Sequence, residues 1–204
     1  MTSFILDFET TGLNPYHHDI IDIGCKILNE DTQFTCLVRP KTKRLIEPFI
    51  TNLTGITNRL LVKEGKEYLQ SYQDFINFIF EHSNQESPIY IISHNGDTFD
   101  FILFKMILSE LVSQKLLTKE HINSYDFKYI DTLPFAKRLL PNRRKYSLES
   151  LASTYNIEQI NAHRAYPDVL TLEELYNILL STLSSKINNE ISPQDVIEYI
   201  QVII

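Results

Sequence analysis

The sequence predicts a single α/β domain, and three observations carry that prediction. Short apolar runs of strand length alternate with longer segments whose apolar residues recur at helical spacing. One strand-like run passes straight into a polar, glycine-containing loop and then a helix, a usual address for functional groups in an α/β protein. No Gly-, Ser- or Pro-rich linker divides the 204 residues, which are 43% hydrophobic and 22% charged, ordinary proportions for one core.

The first strand is the apolar run Phe4 to Phe8. Alternation places Ile5, Asp7 and Glu9 on one face and Phe4, Leu6 and Phe8 on the other. Thr10, Thr11 and Gly12 then break the run where the backbone must turn. Two buried like charges are costly unless one is protonated or a cation neutralises them. An all-oxygen donor pair points to Mg²⁺ or Mn²⁺ rather than zinc. Taken alone, the pair reads equally well as a solvated Asp-x-Glu at a strand end.

Ile20 to Leu28 reads as a second strand, Asn29 to Thr32 as a turn, and Gln33 to Val38 as a third strand closed by Pro40. Ile46 to Lys63 is a loop and short-helix passage rich in capping residues. Leu69, Tyr72, Phe75, Ile76, Ile79 and Phe80 mark an amphipathic helix between Tyr68 and His82. Ile89 to Ile92 is a short, wholly apolar strand, and its loop Ser93 to Asp100 leads into a helix. Asp97 and Asp100 are both candidate ligands there, and either is also a candidate N-cap. Tyr129 to Leu133 resembles another strand, followed by a helix to Leu140, and Ser147 caps the next one. Pro167 suits a first helical position, so a helix is expected from there to about Leu183. That leaves His163 on the segment before it and Asp168 in its first turn. Ser192 to Ile200 reads as a capped terminal helix whose apolar stripe is Val196, Ile197, Ile200, Ile203 and Ile204.

Composition excludes some classes. No apolar run approaches the ~18 residues of a membrane span, and Met1-Thr2-Ser3 is not a charged signal-peptide start. An intracellular protein is expected, cytoplasmic with the nucleus left open, and no membrane partner. Cys25 and Cys36 are too few for a disulfide framework or a cysteine-based zinc site. A hairpin turning at Glu30-Asp31 would set them directly opposite each other, as buried thiols rather than a bridge. The net charge of -7 argues superficially against nucleic acid, but binding depends on local patches. Two exist, Arg39 to Arg44, and Lys137-Arg138 with Arg143-Arg144-Lys145; solvated loops are the commoner explanation for such runs.

In chain order Asp7, Glu9, Asp100, His163 and Asp168 form a set that resembles the DEDDh 3′→5′ exonucleases, the DnaQ-like group that includes polymerase proofreading subunits. Asp7-Phe8-Glu9-Thr10-Thr11-Gly12-Leu13 matches that family's first motif. His94-Asn95 with Phe99-Asp100 matches the second, and His163-x-Ala165-x-x-Asp168 the third. Leu53-Thr54-Gly55-Ile56 is similar to a passage that lines the family's nucleotide site. The second motif holds one residue more than the common form. With Lys145-x-Ser147-Leu148 and Asp168-Val169-Leu170-x-Leu172 it resembles the three-prime repair exonucleases, though without that subgroup's proline-rich loop. The likeness covers roughly residues 3 to 183, an exonuclease domain over 1–183. It leaves 184–204 as a helical tail docked on the domain or on a partner.

The resemblance implies an RNase H-like fold, a five-stranded mixed sheet flanked by helices. It implies a 3′→5′ exonuclease using two Mg²⁺ or Mn²⁺ to release nucleoside 5′-monophosphates from DNA 3′ ends. In that scheme Asp7 bridges the metals, Glu9 and Asp168 complete one shell, and Asp100 holds the second ion. His163, an imidazole suited to proton transfer near neutrality, is the general base. Thr10, Gly12, Leu13, Leu53, Thr54, His94, Asn95 and Phe99 become substrate-binding candidates. Leu13 and Phe99 are the apolar contacts for terminal bases, with core packing the competing reading; for His94 that competing reading is a plain loop hydrogen-bonder. The expected partners are single-stranded or frayed 3′ ends, DNA ahead of RNA, with polymerase docking or self-association beside them. Two rivals remain on the same scaffold: an RNA 3′-end trimmer, and a catalytically silent polymerase-binding subunit, which a full carboxylate set disfavours.

Overall fold

The computed structural model describes residues 1–42 and 44–201. Among them the strands are β1 (Thr2–Thr10), β2 (Ile20–Ile27), β3 (Gln33–Leu37), β4 (Ile89–Ser93) and β5 (Phe127–Asp131). In space their order is β3-β2-β1-β4-β5, antiparallel on the β3-β2-β1 side and parallel on the β1-β4-β5 side. This is the five-stranded mixed sheet of an RNase H-like fold, and β1 lies at its centre.

Between β3 and β4 come α1 (Pro48–Thr54), α2 (Asn58–Glu64) and α3 (Tyr68–Glu81). Pro48 begins α1 and Gly55 closes it at φ 70°, while the Thr57 hydroxyl caps α2 by accepting from the Leu60 N–H. Beyond β4, a 3₁₀ turn at Gly96–Thr98 feeds α4 (Asp100–Ser113), followed by α5 (Lys119–Asn123), which sequence patterning does not reveal. After β5 come α6 (Thr132–Leu139), α7 (Leu148–Tyr155), α8 (Ala165–Ile187) and α9 (Pro193–Gln201).

The alternation of β1 divides the core. Phe4, Leu6 and Phe8 pack with Phe75, Ile76 and Ile79 of α3 and Phe104, Ile107 and Leu111 of α4. Phe8 meets Phe75 edge-on at 5.8 Å, a favourable aromatic geometry. On the other face Ile5, Ile92 and Ile130 pack with Phe135 of α6, Leu151 of α7 and Val169, Leu172 and Leu179 of α8. The two carboxylates of β1, Asp7 and Glu9, therefore emerge on the α8 side.

Four boundaries differ from expectation, each through a contact that local pattern does not carry. The β2–β3 turn forms over Ile27 to Glu30 with Asn29 at φ 62°, so Cys25 pairs with Phe34 and Cys36 with Ile23. The cysteines are not opposite each other; both are free and buried. β5 starts at Phe127 and stops at Asp131, because the Asp131 carboxylate caps α6 by accepting from the Leu133 N–H at 2.8 Å. Neither Asp97 nor Asp100 is the N-cap of α4; Phe99 holds that position and Asp100 is the first helical residue. α8 begins at Ala165, two residues before Pro167, and runs past Leu183 to Ile187, so a division at 183/184 falls inside it. Pro167 is tolerated there because the first-turn N–H groups have no intrahelical acceptor.

Val196 of α9 is fully buried in the α8-side core, with Ile197, Tyr199 and Ile200 packed partly against it. The Tyr199 ring meets Phe135 edge-on at 5.9 Å and lies under Arg138 at 4.8 Å. Ile203 and Ile204 of the expected stripe, and Lys43 of the first basic run, lie outside the described residues. Deleting residues from Ser192 onward uncovers Phe135 and removes a buried Val196. The expected cost is about 2 kcal/mol or more, read as a lower Tm by calorimetry. An unchanged Tm would contradict this docking.

Candidate active site

Strand periodicity presents Asp7 and Glu9 to α8, and the first turn of α8 brings Asp168 to them. One carboxylate oxygen from each lies within 4.8 Å of the others. All three are half-buried. Among the described residues neither the Asp7 nor the Glu9 carboxylate accepts a hydrogen bond. Asp100, 3% exposed, reaches the same strand: Oδ1 accepts from the Phe8 N–H at 3.1 Å and Oδ2 from the Ser93 hydroxyl at 2.6 Å. Asp97, by contrast, is exposed on the 3₁₀ turn and outside the cluster.

Electrostatics follow from crowding. Burial, then the Asp100 charge, holds Asp7 well above the ordinary carboxylate range. Burial pushes Glu9 up to about 9, with the Asp168 and Asp22 charges adding to it. Asp100 rises to about 7 through burial, against hydrogen bonds from Ser93 and Phe8. Asp168 is raised by burial and opposed by the His163 backbone N–H. Crowded, unpartnered oxygens of like charge are the donor set of a hard divalent cation. The residues present therefore fit such an ion.

These shifts have a measurable consequence. Without metal the folded carboxyls keep protons that the unfolded chain releases near about pH 4. The contribution of these carboxyls to metal-free stability is therefore fully present below about pH 4 and is lost as pH rises through about 7 for Asp100 and about 9 for Glu9. Each such group contributes up to ~1.4 kcal/mol per pH unit inside its window. The Tm in chelator should fall between about pH 6 and about pH 9, and a divalent cation should restore it, most strongly at the upper end. A Tm in chelator that stays level would contradict the crowding described here.

His163 sits just before α8 in the left-handed region, φ 66°. Its backbone N–H donates to both Asp168 oxygens, at 3.3 and 3.2 Å. Its imidazole has no hydrogen-bond partner among the described residues.

The substrate-binding candidates divide. Leu13 is 67% and Leu53 36% exposed, and Asn95 is exposed at φ 64°. Phe99 is half-buried against the α4-side core. Gly12 is buried against the His18 ring, which leaves no room for a Cβ. The other three candidates hold internal hydrogen bonds. The Thr10 hydroxyl donates to the Gly12 carbonyl, and that of Thr54 donates to the Ile50 carbonyl and accepts from the Ile56 N–H. Both ring nitrogens of His94 are engaged at 2.8 Å, by the Thr132 hydroxyl and the Tyr146 carbonyl. Burial holds the His94 pKa below the ordinary imidazole value. Through these bonds Thr10, Thr54 and His94 shape the loops around the site.

Other residues that hold the site were not read from sequence. Asp131 accepts from the backbone of Asn95 and Asp97 and so fixes the loop before Asp100. Asp22 binds Arg164 next to His163, at 2.8 Å. Its signal was a charge inside the apolar run Ile20 to Ile23.

Fold and site define the class first: an RNase H-like α/β domain with a carboxylate cluster at the end of its central strand. Residues 4–176 match the exonuclease family RNase_T, and the chain belongs to that family. It is 29% identical to the DNA polymerase III PolC-type of Thermotoga petrophila over 86% of this chain and 12% of that one. To the PolC-type protein of Mycoplasmopsis pulmonis it is 31% identical over 89% and 12%. To the 3′-5′ exonuclease DinG of Staphylococcus saprophyticus it is 29% identical over 89% and 18%. The chain thus spans less than a fifth of the length of these relatives. E. coli Exonuclease I in complex with a dT13 oligonucleotide shares the fold, with a TM-score of 0.65 at 19% identity over 92% of this chain and 42% of that one.

Proposed function

We propose that this protein is a 3′→5′ exonuclease that releases nucleoside 5′-monophosphates from DNA ends, using two Mg²⁺ or Mn²⁺ ions. The observation that carries this is the convergence of Asp7, Glu9 and Asp168 within 4.8 Å, with Asp100 and an unengaged His163 imidazole beside them. Asp7, Glu9 and Asp168 would hold one ion. Asp100 retains lone pairs beyond those given to Ser93 and Phe8 and would help to hold the second, with Asp7. A divalent cation held by these residues would supply a hydroxide-like nucleophile and would neutralise charge on the phosphoryl oxygens. His163 takes the proton of the attacking water. Leu13 and Leu53 offer exposed apolar surface to the terminal bases, a contact indifferent to sequence. The catalytic unit would extend to the end of α8 at Ile187, with the C-terminal segment as a brace.

The likeness to PolC-type polymerases and DinG favours DNA over RNA, and single-stranded or frayed ends as substrate, in a proofreading or end-trimming role beside a polymerase. Among the described residues no helix is long and apolar enough to cross a membrane. The test is a matched pair of single-stranded DNA and RNA, incubated with Mg²⁺ or with EDTA. DNA shortened faster than RNA, in Mg²⁺ only, is the expected result. Faster RNA digestion would move the protein to the exoribonuclease reading, and full activity in EDTA would exclude metal catalysis.

A further inference from the structure

We propose that Asp22 and Arg164 are positioning residues for the carboxylate site, together setting where His163 and Asp168 stand against Asp7 and Glu9. This rests on the exonuclease reading for its activity measurement only. Along β2, Asp22, Gly24 and Lys26 alternate onto the α8 side. Asp22, 5% exposed, lies directly opposite Glu9 in the β1–β2 register. Two carboxylates in that relation repel. Arg164 resolves the conflict by giving its Nε–H to Asp22 Oδ2 at 2.8 Å, which leaves Glu9 as the unpartnered member. The same oxygen accepts from the Ala165 N–H at 3.4 Å, one of the first-turn donors of α8.

The helix is then held backbone against backbone. A Cβ on Gly24 would lie 2.4 Å from the Ala165 carbonyl carbon and 2.6 Å from the Tyr166 nitrogen. One turn along, the Asp168 N–H donates to the Arg164 carbonyl at 3.0 Å, and the Asp168 carboxylate accepts from the His163 N–H. The path from Asp22 to the site is therefore continuous through Arg164. Further along α8, the buried Lys26 and the half-buried Glu173 form a second pair at 2.7 Å. That pair touches none of the cluster, and it supplies a control for a purely structural clasp.

The test measures Mn²⁺ affinity by titration calorimetry, kcat on single-stranded DNA, and Tm, for Asp22→Asn, Arg164→Gln, their combination, Arg164→Lys and Glu173→Gln. Charge addition alone predicts opposite signs, because Asp22→Asn removes a negative charge near the metal site and Arg164→Gln a positive one. Positioning predicts the same sign: each variant should lose ~10–100-fold in Mn²⁺ affinity or kcat, the usual effect of removing an outer support of a metal ligand. The double variant should be no worse than the poorer single one. Arg164→Lys, which keeps a cation for Asp22, should recover much of the loss, and Glu173→Gln should lower Tm while sparing Mn²⁺ affinity. Opposite signs, wild-type behaviour in Asp22→Asn, or losses that only follow Tm as in Glu173→Gln would overturn the proposal. If the wild-type protein degraded no nucleic acid, the Mn²⁺ measurements alone would still decide it.

Discussion

Asp7→Asn is expected to abolish detectable exonuclease activity while raising the Tm of the metal-free protein. The two effects share one cause. Burial first, and then the charges of Asp100, Glu9, Asp168 and Asp22, make an ionisable carboxyl at position 7 costly to the metal-free fold, and a neutral isostere removes that cost. The same substitution removes a carboxylate oxygen that would help to hold the metal. Its loss should exceed the ~10–100-fold cost of removing an outer partner of a metal ligand. The stabilisation that Mg²⁺ gives the wild type should disappear as well. Retained turnover, or a Tm that still rises with Mg²⁺ as in the wild type, would contradict the assignment.

His163 should behave differently. Its contact to Asp168 is made by the backbone, so replacing the side chain leaves that contact in place. His163→Ala is expected to cost ~10²–10⁴-fold in kcat, the usual worth of general-base assistance, with KM and Mn²⁺ affinity little changed. Because φ at this position is 66°, alanine carries a backbone strain that asparagine tolerates better. His163→Asn therefore separates the two contributions: it should lose as much kcat as alanine at a higher Tm. Near wild-type turnover in both variants would make His163 a loop residue.

Part of this site was legible in the sequence through a short-range rule. Alternation alone puts Asp7 and Glu9 on one face of β1, whereas the grouping of Asp100, His163 and Asp168 with them was implied by the resemblance to the exonuclease motifs. What stayed hidden depends on long-range contacts. The start of α8 is fixed by Asp22 and by the missing Cβ of Gly24 on β2, not by Pro167. The offset of Cys25 from Cys36 follows from where Asn29 takes a positive φ. His94, Thr10 and Thr54 have the right chemistry for substrate contact, yet residue type does not tell which groups are already spent on neighbouring loops. Asp22 was visible as a lone charge in an apolar run. Its meaning needed the Arg164 it faces.

The most direct test of the central claim follows a 5′-labelled single-stranded DNA with Mg²⁺ on a sequencing gel, beside the same strand carrying a 3′-phosphate and a circular single strand. A site that grips a terminal nucleotide predicts a ladder shortening stepwise from the free 3′-hydroxyl end, with the blocked and circular strands resisting. Rapid cleavage of the circle would show an endonuclease and contradict the account.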